Sequence, residues 1–493
     1  MPQSGIGHCL ARLSQRWEAC SVPTYYVDAT SGDNTKDGLS EANAWQTIAK
    51  VVGSAFVAGD SILFKRGETW TGTALTVTWS GALGNPITFG AYGSGAKPVI
   101  DGNDAVNCVW CSGRSHLVFQ DIETTQGFDA GFSFTTCHHI QVIDCDAHDC
   151  GNDNLIFITT CYDCSVTGGR FYNAYPRVVG VNVSGIEIAD DCHDITLTNV
   201  TCYDNTGTVE PSGLGITIHN HAATVMPYNI AVTGAACYGN MDYGINIWNQ
   251  NNTPHSDRNI VIRDCVCYGN DEGIRVHKSA VATAYPNGVT LDNCHSRDNT
   301  TRAYYLQGDN LNVRRSAFDG VGYVTSCVGL RFYNNTLYLP TGGGDYPLYI
   351  TNARTADNEV QNCIVYCATS GGMAIGVDAT VTAAEVDIDY NLYYLAAEAI
   401  TAARWYWRGT AYGYADWLTN STQDANSPAP AEPQFVSVPA DNFQLQAGSP
   451  AIGAGTDLGL FYSGAAPDLG AYERWTRRGV TWLHLAGAHE EDD

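Results

Sequence analysis

Between Glu187 and Lys278 the chain gathers side chains that can move protons or grip a sugar. Glu187, Asp190 and Asp191 bring carboxylates, His219, His221 and His277 imidazoles, Arg275 and Lys278 cations, and Trp248 an indole. Two chemistries use such a set. Hydrolysis of a glycosidic bond needs two carboxylates flanking it, about 5 to 5.5 Å apart for retention and about 6.5 to 9.5 Å apart for inversion. Asp190 and Asp191, with Glu187 on the preceding strand, are the candidate catalytic carboxylates, and His221 one coil away is their modulator. Elimination needs a cation against a uronate carboxylate and a base for the adjacent proton, roles open to Arg275, His277 and Lys278. His219, Asn246, Trp248, Arg275 and Tyr305 are the candidate sugar-binding residues. Each group also has a purely structural reading, as a solvated or charged turn.

These residues sit at matching offsets in a repeat. Gly185-Ile-Glu-Ile, Gly215-Ile-Thr-Ile, Gly244-Ile-Asn-Ile and Gly273-Ile-Arg-Val follow at steps of 30, 29 and 29 residues, and Ala303-Tyr-Tyr-Leu comes 30 later. Two further short sets lie between them: Asp194-Ile-Thr-Leu and its equivalents at Asn229, Asn259 and Gly288, then Val200/Cys202, Ala235/Cys237, Cys265/Cys267 and Cys294/Ser296. Alternation in pieces of three to five residues excludes the helix pairs of an α-solenoid. The fold it predicts is all-β, a single right-handed parallel β-helix of about a dozen coils, each strand about 4.8 Å above its equivalent. Stacking places Glu187, Thr217, Asn246, Arg275 and Tyr305 in one outward column, with Ala189, His219, Trp248 and His277 beside it. Asn205, Asn240, Asn270 and Asn299 form a predicted asparagine column at a corner.

Composition narrows the partners. Lysine and arginine number 25 against 51 aspartates and glutamates, a net charge of -26, which opposes phosphate binding and argues against nucleic acid. Residues 258–331 depart from this balance, with nine basic against seven acidic residues, and so predict local attraction for an anionic glycan. No stretch is long enough to span a bilayer, and residues 1–23 contain no apolar run suited to a signal peptide. Most of the 18 cysteines fall at inward positions with coil spacing, which predicts columns of buried free thiols. Cys161-Tyr-Asp-Cys164 is a single CxxC without a second pair, a weak zinc signal. Calcium is compatible with the Asp190-Asp191 turn, although no EF-hand-like loop is present; no cofactor is firmly implied.

Along the chain, residues 1–23 read as an attachment or assembly segment, 24–103 as an N-terminal cap with the first coils, 104–393 as central coils, 394–475 as an aromatic insertion with a C-terminal cap, and 476–493 as a tail. Asn43 is expected to cap a helix carrying Trp45, Ile48, Val51 and Val52 on one face, ended by Gly53. Phe132/Phe134, Ile140/Val142, Cys145/Ala147 and Ile156/Ile158 read as further inward pairs. Trp405, Tyr406, Trp407, Tyr412, Tyr414 and Trp417 read as cap packing ahead of a sugar platform.

Tyr25 to Asp28, Ala44-Trp-Gln-Thr-Ile48, Gly59-Asp-Ser-Ile-Leu-Phe-Lys-Arg-Gly67 and Pro98-Val-Ile-Asp-Gly102 resemble the entry segment of right-handed parallel β-helix proteins similar to pectate lyases. Phe443 to Ile452 and Pro467 to Glu473 resemble their closing segment. The resemblance implies the fold over about residues 24–475 and leaves activity open, since the superfamily holds lyases, hydrolases, epimerases and phage tailspikes. The functional expectation is extracellular glycan recognition, with or without depolymerisation, by a phage tailspike or virion appendage attached through its N-terminus, for which a homotrimer is implied by resemblance alone. A secreted bacterial polysaccharide lyase or glycoside hydrolase is the alternative, and a structural or adhesive shaft the third.

Overall fold

The computed structural model describes residues 22–177, 182–207, 213–221, 224–250, 258–280, 282–354 and 357–474; the expected attachment segment and tail fall almost wholly outside them. The described chain winds as one parallel β-helix. Each coil lays down a strand in a first sheet (His138–Ile143, for example), a second (Asp146–His148) and a third (Asp153–Ile158). The three sheets hold 14, 13 and 14 strands, every pairing parallel except the closing hairpin of the third. Two short α-helices complete it, and among the described residues no helix is long and apolar enough to cross a membrane.

The alternation dictates the core. Ile186, Ile188, Ile216, Ile218, Ile245, Ile247, Ile274 and Val276 are fully buried, each worth about 1.5–3 kcal/mol against exposure. The glycines that open these strands are there for space. A Cβ on Gly244 would lie 2.7 Å from the Gly273 carbonyl oxygen and 3.0 Å from Asn270 Nδ2. That amide belongs to the asparagine column, which forms as expected. Asn205 Nδ2 donates to Asn240 Oδ1 at 2.8 Å, Asn240 Nδ2 to Asn270 Oδ1 at 3.0 Å, and Asn270 Nδ2 to Asn299 Oδ1 at 3.2 Å. Each Oδ1 also accepts a backbone N–H from the coil before it, so bend groups that no ladder reaches are satisfied. Asn154 extends the column by donating to Asn205 Oδ1.

Two readings of the sequence are corrected, and the closing segment, read as an aromatic insertion with a cap, packs in two places. The first helix spans only Ile48–Val52 and is capped by Thr47, whose hydroxyl accepts from Lys50 N at 3.1 Å; Asn43 closes a separate 3-10 turn, because Trp45 is drawn into a bridge with Val27. In the strand Asp153–Ile158 the inward residues are Leu155 and Phe157, and Ile156 faces out opposite Glu187. A one-residue slip of this kind exchanges the two faces. Finally, the closing segment is split. Trp405, Trp407 and Trp417 are buried over the end of the shaft, whereas Phe435, Phe443, Leu445 and Leu469 pack against Ala317, Ile364 and Leu392 on the outer face of the second sheet.

Sixteen described cysteines are free and buried. Burial pushes the Cys145 and Cys363 thiols up to about 12, so they resist alkylation. Thiol titration should therefore find them slow to react in native protein and fully reactive after unfolding without reductant; a low count after unfolding would mean disulfides. Replacing Asn240 by Ala should strip partners from buried groups of both neighbouring coils and destabilise the fold by about 1–3 kcal/mol, read as a lower urea midpoint at unchanged m-value.

Candidate functional site

The outward column of the third sheet runs Trp110, Ser133, Ile156, Glu187, Thr217, Asn246, Arg275, Tyr305, Tyr323, Tyr349. Glu187 occupies its middle and is half-buried. Beside it, Ser184 pairs with Asp153 of the coil below, and Ser184 Oγ lies 3.4 Å from Oγ1 of the column residue Thr217; both Ser184 and Asp153 are buried. Asp153 Oδ1 accepts from Ser184 N at 2.9 Å, and its carboxyl lies near enough to Glu187 for the two groups to influence each other's ionisation. Sequence reasoning missed Asp153. Its strand carries Asn154 where later coils carry glycine, and lacks their signature.

The two carboxyls are driven apart. Burial, and then the adjacent Glu187 charge, raise Asp153 well above the ordinary aspartate range. Burial also works against Glu187, but the charge and hydrogen bond of His219 and the hydrogen bond from Asp153 outweigh it and hold Glu187 below its ordinary value. His219 Nε2 lies 3.0 Å from Glu187 Oε1, and Gln250 Nε2 lies 3.2 Å from His219 Nδ1. The ring presents Nε2 to Glu187 and Nδ1 to Gln250, so a chain of polar side chains runs from Gln250 through His219 to Glu187, with Asp153 beside it. Such a split pair is the usual signature of an assigned acid and an assigned base.

The other expected residues occupy three separate settings. Asp190 lies at the turn with a left-handed backbone, φ 61°. Its Oδ1 accepts from His221 N at 3.0 Å, from Thr224 Oγ1 at 2.5 Å and from the ring across 2.9 Å to His221 Nδ1. Burial opposes its charge, yet these donors hold it well below the carboxylate range, and the same bond raises His221. Asp191, the next residue, is not among the partners of Asp190 or His221. His277 stacks on Trp248 with centroids 5.6 Å apart and planes at 3°, and its Nε2 is 3.1 Å from Asn246 Oδ1. Burial, with Arg275 nearby, pushes its pKa down to about 3. His219 continues the stack on the far side of Trp248 at 6.1 Å.

The cations are engaged. Arg275 sits between the Tyr243 and Tyr305 rings, 4.8 Å from each centroid, and donates to Tyr243 Oη at 2.8 Å and to buried Glu272 at 3.2 Å. Arg302 takes the same carboxylate. Lys278 Nζ donates to the Ala282 carbonyl at 2.6 Å and rests over Tyr285. Farther along, fully buried Asp292 receives Arg315 at 2.6 Å and Arg314 at 3.2 Å. The basic excess of residues 258–331 thus largely answers buried acids.

No family model matches the chain. A stretch of 95 residues is 35% identical to a lacto-N-biosidase of Bifidobacterium longum subsp. longum, covering 18% of this chain and 6% of that protein, so the chain spans only a small part of this relative. Among solved structures, pectate lyase Pel9A is similar with a TM-score of 0.48 at 18% identity, covering 92% of this chain and 96% of that one. A GH136 lacto-N-biosidase from Eubacterium ramulus gives 0.38 at 15% identity over 76% of this chain and 68% of that one. The strand order of the chain is itself that of a parallel β-helix.

The split pair has a stability signature. Above the ordinary aspartate value of 3.8 the unfolded chain releases the Asp153 proton while the folded chain keeps it. Stability must fall with rising pH until the folded pKa is passed. Glu187 acts oppositely and only below its own ordinary value. Asp153→Asn should therefore lose less stability than wild type between about pH 5 and 8, measured by urea unfolding at each pH; parallel curves would place an ionised Asp153 in the folded protein.

Proposed function

We propose that the outward face of the third sheet binds a linear glycan along the shaft and hydrolyses it at Asp153 and Glu187. The observation that carries this reading is the proton-sharing pair at the centre of a column with aromatic residues on both sides. Trp110 is exposed at one side, and Tyr305, Tyr323 and Tyr349 follow at the other. At about 4.8 Å per coil, that row matches several sugar rings.

In this reading the Asp153 carboxyl gives its proton to the glycosidic oxygen as the bond to the anomeric carbon breaks. Glu187 attacks that carbon, and His219 holds its Oε1 through Nε2–H. Water then cleaves the glycosyl ester, returning a proton to Asp153 and freeing Glu187. Attack by Glu187 followed by water at the same carbon gives net retention, the outcome of a carboxylate acting as nucleophile. An uncharged glycan is favoured over a uronate, because the described cations of this face are held by Glu272, by aromatic rings and by carbonyls. That same engagement weighs against elimination, which would need Arg275 or Lys278 free. The setting we propose is extracellular, on a virion appendage or as a secreted bacterial enzyme, and the site chemistry is common to both.

A panel of neutral and anionic oligosaccharides, with products followed by NMR, tests the reading. Glu187→Gln and Asp153→Asn should each lower kcat by about 100- to 10,000-fold with little change in melting temperature, and Trp110→Ala should raise KM for long substrates alone. Unsaturated products would establish elimination instead. Binding without products, unaltered in Glu187→Gln, would leave an adhesive shaft.

A further inference from the structure

The geometry points to a transition-metal site, for a zinc-type divalent ion, formed by His116, His138 and His139. These residues lie at the turn from the third sheet into the first, in coils below the one that carries Glu187. One ligand atom from each falls within 4.8 Å of the others, and the Nδ1 atoms of His138 and His139 are 2.9 Å apart. A tetrahedral ion with bonds of about 2.0 to 2.1 Å holds its ligand nitrogens about 3.3 Å apart, so the His138–His139 hydrogen bond would give way to the ion and the rings would draw in from within 4.8 Å.

The rings do not pack as aromatic ladders elsewhere on this shaft do. Tyr172, Tyr203, Tyr238 and Tyr268 stack at 4.7 to 4.9 Å with planes within 11° of parallel. The three imidazoles cross at 45°, 77° and 80°, an arrangement that turns ring edges toward one another. His138 alone also joins a stack, lying on Tyr162 at 4.7 Å, which fixes its plane.

The backbone supplies a second, independent observation. His116 and His139 both have φ 55°, in a column of left-handed residues that continues as Asp163, Asp194, Asn229 and Asn259. Asp and Asn suit that conformation, and here they link coil to coil, as Asn229 Nδ2 does to Asp194 Oδ1 at 3.1 Å. Histidine also enters that conformation readily, and two successive coils carry it at this corner. The next coil sets Asp163 Oδ2 3.8 Å from His139 Nε2, behind the nitrogen that would remain once Nδ1 holds the ion. A carboxylate in that place orients a ligand imidazole. Three protein ligands leave the fourth position to water or an exogenous donor.

The test uses the full chain, stripped with chelator and titrated with Zn2+ by calorimetry and with Co2+ by visible absorption. The expected result is one equivalent of either metal, a tetrahedral Co2+ spectrum, and a melting temperature that rises with Zn2+. His116→Asn and His139→Asn, chosen because Asn accepts the left-handed backbone, should lose the equivalent and the thermal shift while keeping the unliganded melting temperature. Absence of stoichiometric binding in wild type would overturn the proposal, as would variants that bind like wild type. Glycan cleavage by the metal-free protein is not part of this proposal, so failure of either leaves the other standing.

Discussion

Every feature of this molecule depends on the in-register pairing of successive coils. Once each strand must lie about 4.8 Å from its equivalent, a side chain's nearest outside neighbours are the residues one coil away, and a column is stable only if its members tolerate one another. Isoleucines do so by packing, asparagines by passing amide protons along, and tyrosines by stacking with planes nearly parallel. The tyrosine ladder of the second sheet ends under Arg297, 4.7 Å from the Tyr268 ring, so a cation closes a column whose next member is not aromatic. Carboxylates stack only at a cost or with a cation, as Asp146 does over Glu123 with Lys97 and Arg170 on it. Glu187 is the lone acid among its column neighbours Ile156 and Thr217, and Asp153 lies on the same strand as Ile156.

The same constraint explains which parts were legible in the sequence. Period and alternation located the three sheets, the asparagine corner and the inward cysteines, because a column repeats the same residue type at coil spacing. The neighbourhood of Glu187, His219, Trp248 and His277 was legible for the same reason. Asp153 was not, since its strand precedes the first Gly-Ile-x-Ile segment, carries Asn154 at the glycine position, and has apolar residues on both faces. Parity therefore had no polar marker to fix it, and the inward pair read one residue out of place. Asn43 resembled a cap by local rules, but a tertiary bridge at Trp45 moved the helix start to Thr47.

The basic middle of the chain shows where counting charges loses meaning. Residues 258–331 are enriched in arginine, yet Asp292 and Glu272 are buried and would be costly without compensation. Arg263, Arg314 and Arg315 converge on the first, and Arg275 and Arg302 on the second. Much of the sequence excess is thus satisfied inside the shaft wall and projects little field into solvent. Composition predicted attraction for anions; placement turns those cations into structural partners.

The contrast with Asp153 and Glu187 is the last step. Glu272 and Asp292 are buried acids given arginines, and their charges are answered locally. Asp153 and Glu187 are buried acids given one histidine between them, which can neutralise one charge and not two. Two carboxylates in contact cannot both ionise at little cost when a single partner is present, so the second keeps its proton. The fold had a cheaper solution in the arginines used three to five coils farther along. A pair left short of a cation, in a column that carries Trp110 on one side and Tyr305, Tyr323 and Tyr349 on the other, is therefore unlike the arginine-answered acids around it, and this separates the candidate site from the structural ion pairs.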